Sequence, residues 1–504
     1  MIGCMLCPDV EMEHIADERL ALVRQGRRHV LRGGRGLQPA WEKLRDGDLV
    51  DIDELTGVAR LGANDLEDHI DKRMIRALNM LAVRRMIQFR AISHGRLLCA
   101  TAAIGQLASF HFPHSGFFNE DRADHAYQIS RLACVRREGS DLVVECPHLS
   151  VRLTIAAPEV AAVIGALGRP ASLRSLVTDL PFVESTALKD ILRFLVGSGV
   201  VGGVDDDGRL LEDRDPVTAV REFHDVLMHA HSRSGYMDVA VGGTFRFAGM
   251  LPPWPAVSEK HFEKVIDLPK PVETDFASGD PPLGAVMEAR RSVRVYGDIS
   301  MTVGQLAEFL FRVGRIRSIR RTTALTADPR VYDVTKRTYP SGGGAYDIEI
   351  YPVIHSCEGL RQGVYHYDPM RHCLELASQS RVLVDQITAG ARVSAGISCG
   401  PQVLLVLTSR FGRLSWKYEG MAYATTLRNV GVLYEAMYLV ATAMRLAPCA
   451  LGSGNSALFA SALGLESMAE SSVGEFMLGS LPPEMHETGF GVSLADHDHS
   501  RMTE

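Results

Sequence analysis

Apolar residues recur at helical spacing three times between residues 158 and 204: Val160, Ile164 and Leu167; Leu173, Leu176 and Leu180; and Leu188, Ile191, Leu192 and Leu195. Steps of three and four place each set on one face of a helix. Gly197, Gly199, Gly202 and Gly203 end the third helix, and Val200-Val201 and Arg209-Leu210-Leu211 flank a turn at Asp205-Asp206-Asp207-Gly208. Three short helices followed by a hairpin predict a winged-helix-like module. The stretch 41–90 repeats this pattern, with helices expected over 52–59 and 66–81 and a strand over 86–91, as a degenerate second copy.

The pattern breaks at 251–282, which holds seven of the 23 prolines and little apolar periodicity, so it reads as a linker without regular elements. Beyond it the periods mix. A helix is expected over 303–313, an alternating strand over 348–354, and a hairpin in which Gly363-Val364-Tyr365-His366-Tyr367 and Cys373-Leu374-Glu375-Leu376 flank Asp368-Pro369. Residues 403–407 read as a strand buried on both faces, and 423–446 as a long, nearly all-apolar helix. Such a helix needs cover on every side, from its own domain or from a second subunit.

Length and composition narrow the class. At 504 residues the chain exceeds one ordinary core, and 46% hydrophobic with 23% charged residues is a globular balance. A net charge of -7 argues against a dedicated nucleic-acid binder. Residues 158–204 carry four basic and four acidic side chains: Arg169, Arg174, Lys189 and Arg193 against Glu159, Asp179, Glu184 and Asp190. DNA binding by the winged module is therefore disfavoured, and peptide docking or packing preferred. Nine scattered cysteines fit a reducing cytoplasm. No signal peptide or membrane span is expected, because the apolar stretch 430–444 is shorter than a bilayer requires.

Candidate chemistry clusters in four places. Arg290, Arg291 and Arg294 around Ser292 offer planar donor forks and a hydroxyl suited to a phosphate dianion. Pro340-Ser341-Gly342-Gly343-Gly344 provides backbone that can approach a flat ligand. Lys417 and Tyr418, between the buried strand and the long helix, form a possible base and proton relay. Gly452-Ser453-Gly454-Asn455-Ser456-Ala457 matches a dinucleotide fingerprint only formally, with no strand-turn-helix unit evident around it, and reads as a loop at a cofactor edge. No metal site is expected: Cys4-x-x-Cys7 lacks a second half, and His111-x-x-His114 and Asp496-His497-Asp498-His499 read as ordinary loop and tail. No phosphate loop ending in Gly-Lys-Ser/Thr occurs, which excludes the commonest ATP-driven class.

Arg290-Arg291-Ser292-Val293-Arg294-Val295-Tyr296 resembles the first FMN-binding motif of the nitroreductase superfamily. Tyr339-Pro340-Ser341-Gly342-Gly343, Ile348-Glu349-Ile350-Tyr351, Gly363 to Pro369, and Trp416-Lys417-Tyr418-Glu419 are similar to SagB-type dehydrogenases, the azoline oxidases of azole-containing peptide biosynthesis. Arg221-Glu222-Phe223-His224-Asp225 and Gly242-Gly243-Thr244-Phe245-Arg246-Phe247 extend the resemblance upstream. Residues 1–215 more loosely resemble the peptide-clamp domains of longer members. The pattern departs at Met421 and Ala424, where members often carry arginine, and at Pro448.

The resemblance implies an α+β fold, with a nitroreductase-like FMN domain at the C-terminus preceded by winged-helix-like modules. The expected division is 1–130 and 131–215 as clamp modules, 216–282 as connecting segment and linker, 283–490 as FMN oxidase domain, and 491–504 as polar tail. It places Arg290, Arg291, Ser292 and Arg294 on FMN, Pro340, Ser341, Gly342 and Gly343 across the flavin from the other subunit, Gly452 and Ser453 beside the ring, and Lys417 and Tyr418 as base and helper. It further implies a cytoplasmic homodimer that acts on an azoline-containing peptide with a cyclodehydratase partner and oxygen as electron acceptor. The alternatives are an oxidase of carrier-bound azolines, an NAD(P)H-dependent nitro or quinone reductase, and a peptide-binding scaffold.

Overall fold

Alternate residues of the strand Val403–Arg410 feed two different cores. Val403, Leu405 and Leu407 pack with the helices Val303–Gly314 and Ala422–Ala443, whereas Leu404 and Val406 pack with Arg381–Ala395 and Ser456–Leu463. Because helices cover both sides of this strand, all eight of its residues are buried and the first five, 403–407, read as one unbroken apolar run. The computed structural model describes all residues except 16–18, 25, 32–37, 45–48, 53, 55–73, 75–76, 83, 104–123, 150, 237–239, 321–329 and 486–504. Two compact units divide after Ala240.

In the second unit a seven-stranded antiparallel sheet runs in the order Val265–Asp267, Cys373–Ser378, Gly363–Asp368, Ile348–Ile354, Val403–Arg410, Glu470–Leu478, Cys449–Leu451. The helix expected over 303–313 is Val303–Gly314, started by a Thr302 hydroxyl that accepts the Gln305 amide. The long helix is Ala422–Ala443 and is not apolar all round. Ala424, Val430, Leu433, Met437 and Ala441 are buried, while Tyr423, Leu427 and Val432 share the exposed side with Arg428 and Glu435.

The proline-rich stretch differs from expectation. Residues 265–267 pair with 373–375, and Glu273–Gly279 is a helix. Upstream, Trp416 Nε1 donates to the Leu251 carbonyl at 2.8 Å, Arg413 Nη1 to that of Trp254 at 2.5 Å, and Arg410 Nη2 to that of Pro255 at 3.0 Å. Proline removes amides but leaves carbonyls, and buried arginines supply the missing donors.

The first unit contains a seven-stranded sheet whose strands come from residues 2–6, 50–51, 87–93, 96–103 and 134–155. One sheet thus spans the expected boundary at 130/131. Cys4 is fully buried in it, and burial pushes its thiol up to about 12. The three expected helices are Pro158–Ala166, Leu173–Asp179 and Ser185–Gly197, beside a three-stranded sheet of 126–129, 171–172 and 201–203. The turn closes with Val204 opposite Leu210 and Gly208 at φ 76°. The strand expected over 86–91 is Ile87–Ser93. The helices expected over 52–59 and 66–81 fall largely outside the described residues, as do the two histidine motifs and the tail.

Candidate functional site

Most of the candidate residues fall into two groups that meet the long helix at different points, one through Tyr438 and one through Asn429. Near its C-terminal half, Ser292 Oγ lies 2.8 Å from Tyr438 Oη, which also accepts the Ala450 amide at 2.8 Å. The Arg290 guanidinium sits over the Tyr438 ring at 5.2 Å, and the Val293 amide donates to the Pro448 carbonyl at 2.8 Å. Tyr438 therefore joins the arginine segment to the strand Cys449–Leu451 that leads into Gly452 and Ser453. Arg291, Ser292 and Arg294 are exposed, and Arg290 and Arg294 have no carboxylate partner among the described residues. Two unpaired forks beside a hydroxyl suit a phosphate dianion.

Toward the other end of the helix, Asn429 Oδ1 accepts the Gly342 amide at 3.0 Å. Nine residues separate Asn429 from Tyr438, about 14 Å along the axis. Pro340, Ser341, Gly342 and Gly343 therefore lie well away from the arginine segment of their own chain. The Ser341 hydroxyl accepts the Tyr346 amide at 3.1 Å, and Gly343 turns the chain at φ 60°. A Cβ on Gly343 would lie 2.3 Å from both Lys417 Nζ and Tyr418 Oη, so glycine is what lets the pair close on this turn.

Lys417 and Tyr418 follow the short helix Gly412–Ser415 at the end of the buried strand. Lys417 Nζ donates to Tyr332 Oη at 2.7 Å and lies 3.4 Å from the Gly343 carbonyl oxygen. The rings of Tyr332 and Tyr418 stand 5.1 Å from the amine and that of Phe245 5.6 Å, so three aromatic rings enclose it. Phe245 has a left-handed backbone at φ 54°, and its amide donates to the Lys417 carbonyl at 3.1 Å. Gly242 pairs with Glu419, whose carboxylate accepts Thr244 Oγ1 at 3.0 Å.

The loop 452–456 contradicts the expectation that no strand-turn-helix surrounds it, since the strand Cys449–Leu451 precedes it and the helix Ser456–Leu463 follows. The strand is an antiparallel edge strand, however, so the parallel unit of a dinucleotide fold is not formed. Gly454 faces Glu475, whose carboxyl oxygen would lie 1.9 Å from a Cβ there. Glu475 is 6% exposed, and burial pushes its carboxyl up to about 7. It lines a cavity of about 550 Å³ with Gln386, Ser394, Ser453 and Asn455.

Sequence reasoning missed Tyr332, Asn429, Tyr438 and Glu475. Phe245 carries no role in the sequence motifs beyond its place in the run 242–247. None has a spacing signal; only Asn429 stands out, as a polar residue on the apolar side of a helix.

Comparison with known proteins places residues 287–480 in the nitroreductase family and residues 127–238 in the cyanobactin oxidase ThcOx family. A Methanocaldococcus jannaschii protein, MJ1384, named for the nitroreductases, is 26% identical over 168 residues, covering 33% of this chain and 77% of that one. The microcin B17-processing protein McbC of Escherichia coli is 30% identical over 112 residues, or 21% of this chain; the match spans only 40% of McbC. The Escherichia coli microcin synthetase McbBCD complex with truncated pro-MccB17 bound includes a chain 18% identical, with a TM-score of 0.31, covering 47% of this chain and 90% of that one.

Proposed function

We propose that this chain, which belongs to the nitroreductase superfamily and within it to the SagB-type dehydrogenases, is an FMN-dependent oxidase that converts thiazoline or oxazoline rings of a peptide precursor to thiazole or oxazole. One observation carries the reading: a half-buried lysine amine held among three aromatic rings against a glycine turn, in a chain that also matches a cyanobactin oxidase upstream of its nitroreductase domain.

The reaction removes a proton from the ring carbon alpha to the carbonyl and a hydride from its neighbour, so the ring loses two hydrogens and gains a double bond. FMN, when bound, supplies the hydride acceptor, and oxygen is the proposed final acceptor. Lys417 takes the proton on Nζ, and Tyr418, whose hydroxyl faces the same turn, assists. Arg290, Ser292 and Arg294 neutralise and orient the phosphate, and Arg291 extends that donor surface. Gly452 and Ser453 approach the ring edge, where a Cβ on Gly452 would meet nothing within 4 Å.

The separation of the two groups along the helix favours a homodimer in which the arginine segment of one chain meets the Pro340 to Gly343 turn of its partner. The first unit is proposed to grip peptide or a cyclodehydratase rather than DNA.

The test is an azoline peptide assayed for the loss of two daltons per ring, with the flavin spectrum recorded in parallel. Lys417→Ala is expected to stay yellow and to lose azole formation by about 10²–10⁴-fold. Near-normal turnover by the FMN-loaded variant would sink the assignment.

A further inference from the structure

The residue nearest the Lys417 amine is a tyrosine that the sequence motifs pass over. Tyr332 Oη donates its proton to the Gly343 carbonyl at 2.9 Å, which leaves its lone pairs for Lys417 Nζ at 2.7 Å. A phenol has one donor, and here the glycine turn takes it. Both ends of this link are clamped by one side chain. Arg413, buried at 2% exposure, donates from Nη2 to the Asp333 carbonyl at 3.0 Å and from Nε to the Ala345 carbonyl at 2.9 Å. Asp333 is next to Tyr332 and Ala345 two residues beyond Gly343, so one rigid guanidinium fixes the spacing between phenol and turn. The Arg413 guanidinium also covers the Tyr332 ring at 5.6 Å. The opposite arrangement, a tyrosine lying free on the surface, would need neither clamp.

We propose that Tyr332 is a positioning residue for Lys417, aiming the amine at the substrate carbon and returning it there after each proton transfer. This rests on Lys417 being the proton acceptor. Phe245 and Tyr418 surround the amine with ring faces, which confine it without direction; the Tyr332 hydroxyl alone gives it a directional partner among the described side chains.

The deciding variant is Tyr332→Phe, which keeps the ring and removes the oxygen. In the FMN-loaded protein, acetylation of Lys417 by a limiting amine reagent at fixed pH, read by peptide mass spectrometry against exposed Lys264, is expected to rise about fivefold as the amine loses its anchor. Azole formation is expected to fall about 10- to 100-fold in kcat with little change in KM, as for a misplaced reacting group. In a Lys417→Ala background the same substitution should add no further loss. Unchanged labelling of Lys417, or losses that simply multiply in the double variant, overturn the role. Labelling reports the contact without turnover, so its failure is distinct from full activity in Lys417→Ala, which overturns the underlying assignment.

Discussion

Asn429 bridges the fully buried Asp347 carboxylate to the glycine turn: its Nδ2 donates to Asp347 Oδ1 at 2.7 Å while its Oδ1 holds the Gly342 amide. Ser409 and Thr426 hydroxyls donate to the other Asp347 oxygen at 2.7 and 2.8 Å. Asn429→Ala removes one of these three donors and orphans Gly342. Hydrogen bonds to charged groups are worth about 1.5–3 kcal/mol, so stability should fall by that amount in denaturant melts. A change below about 0.5 kcal/mol would mean that water replaces the amide.

Cofactor retention is expected to depend on Arg290 and Arg294. Neither has a competing carboxylate among the described residues, so both can serve a phosphate. Replacing both with alanine removes two charge-assisted contacts of roughly 1.5–3 kcal/mol each and should yield colourless, folded protein. A full flavin complement after purification would locate the phosphate elsewhere.

The exposed side of the long helix that carries Leu427 and Val432 is the expected dimer surface. Val432→Glu puts a charge into it, adjacent to Glu435. Light scattering should show the parent as a dimer and the variant as a monomer with weakened flavin binding. A parent that is monomeric with bound FMN would refute the shared site.

Glu475 makes a prediction about pH. Its folded value of about 7 exceeds the unfolded value near 4.5, so between these limits the unfolded chain gives up its proton first. The contribution is therefore fully present below pH 4.5 and is lost as pH rises through 7, a total of about 3 kcal/mol. Glu475→Gln should melt higher than the parent at pH 8 and no higher at pH 4.5. Parallel melting curves across that range would show that the carboxyl is solvated.

Much of the second unit was legible because its elements show either one clear period or one unbroken apolar run. The expected strands at 348–354, 363–367 and 403–407 and the expected helix at 303–313 lie within Ile348–Ile354, Gly363–Asp368, Val403–Arg410 and Val303–Gly314, and what the apolar pattern left out is the polar ends Asp368 and Thr408 to Arg410. What escaped depends on tertiary partners. Asn429 makes sense only once Asp347 is seen beneath it, and Phe245 only once its backbone is found paired to Lys417. The strand at 449–451 is three residues long, too short for any period to show. The proline-rich stretch misled because carbonyl acceptors leave no pattern in a sequence, and the arginines that bind them lie over 150 positions away.

The spacing of Asn429 and Tyr438 along one helix has a genetic corollary. In the shared-site reading each chain owns two unlike halves and completes neither alone, so defects in different halves are not equivalent when chains mix. A chain damaged at Arg294 and another damaged at Lys417 would each be inactive as pure dimers. In the hybrid dimer both lesions fall in the same site, leaving the second site with an intact arginine segment from one parent and an intact lysine from the other. Two dead alleles would then complement each other, with recovery bounded by the fraction of hybrids and by one live site in each.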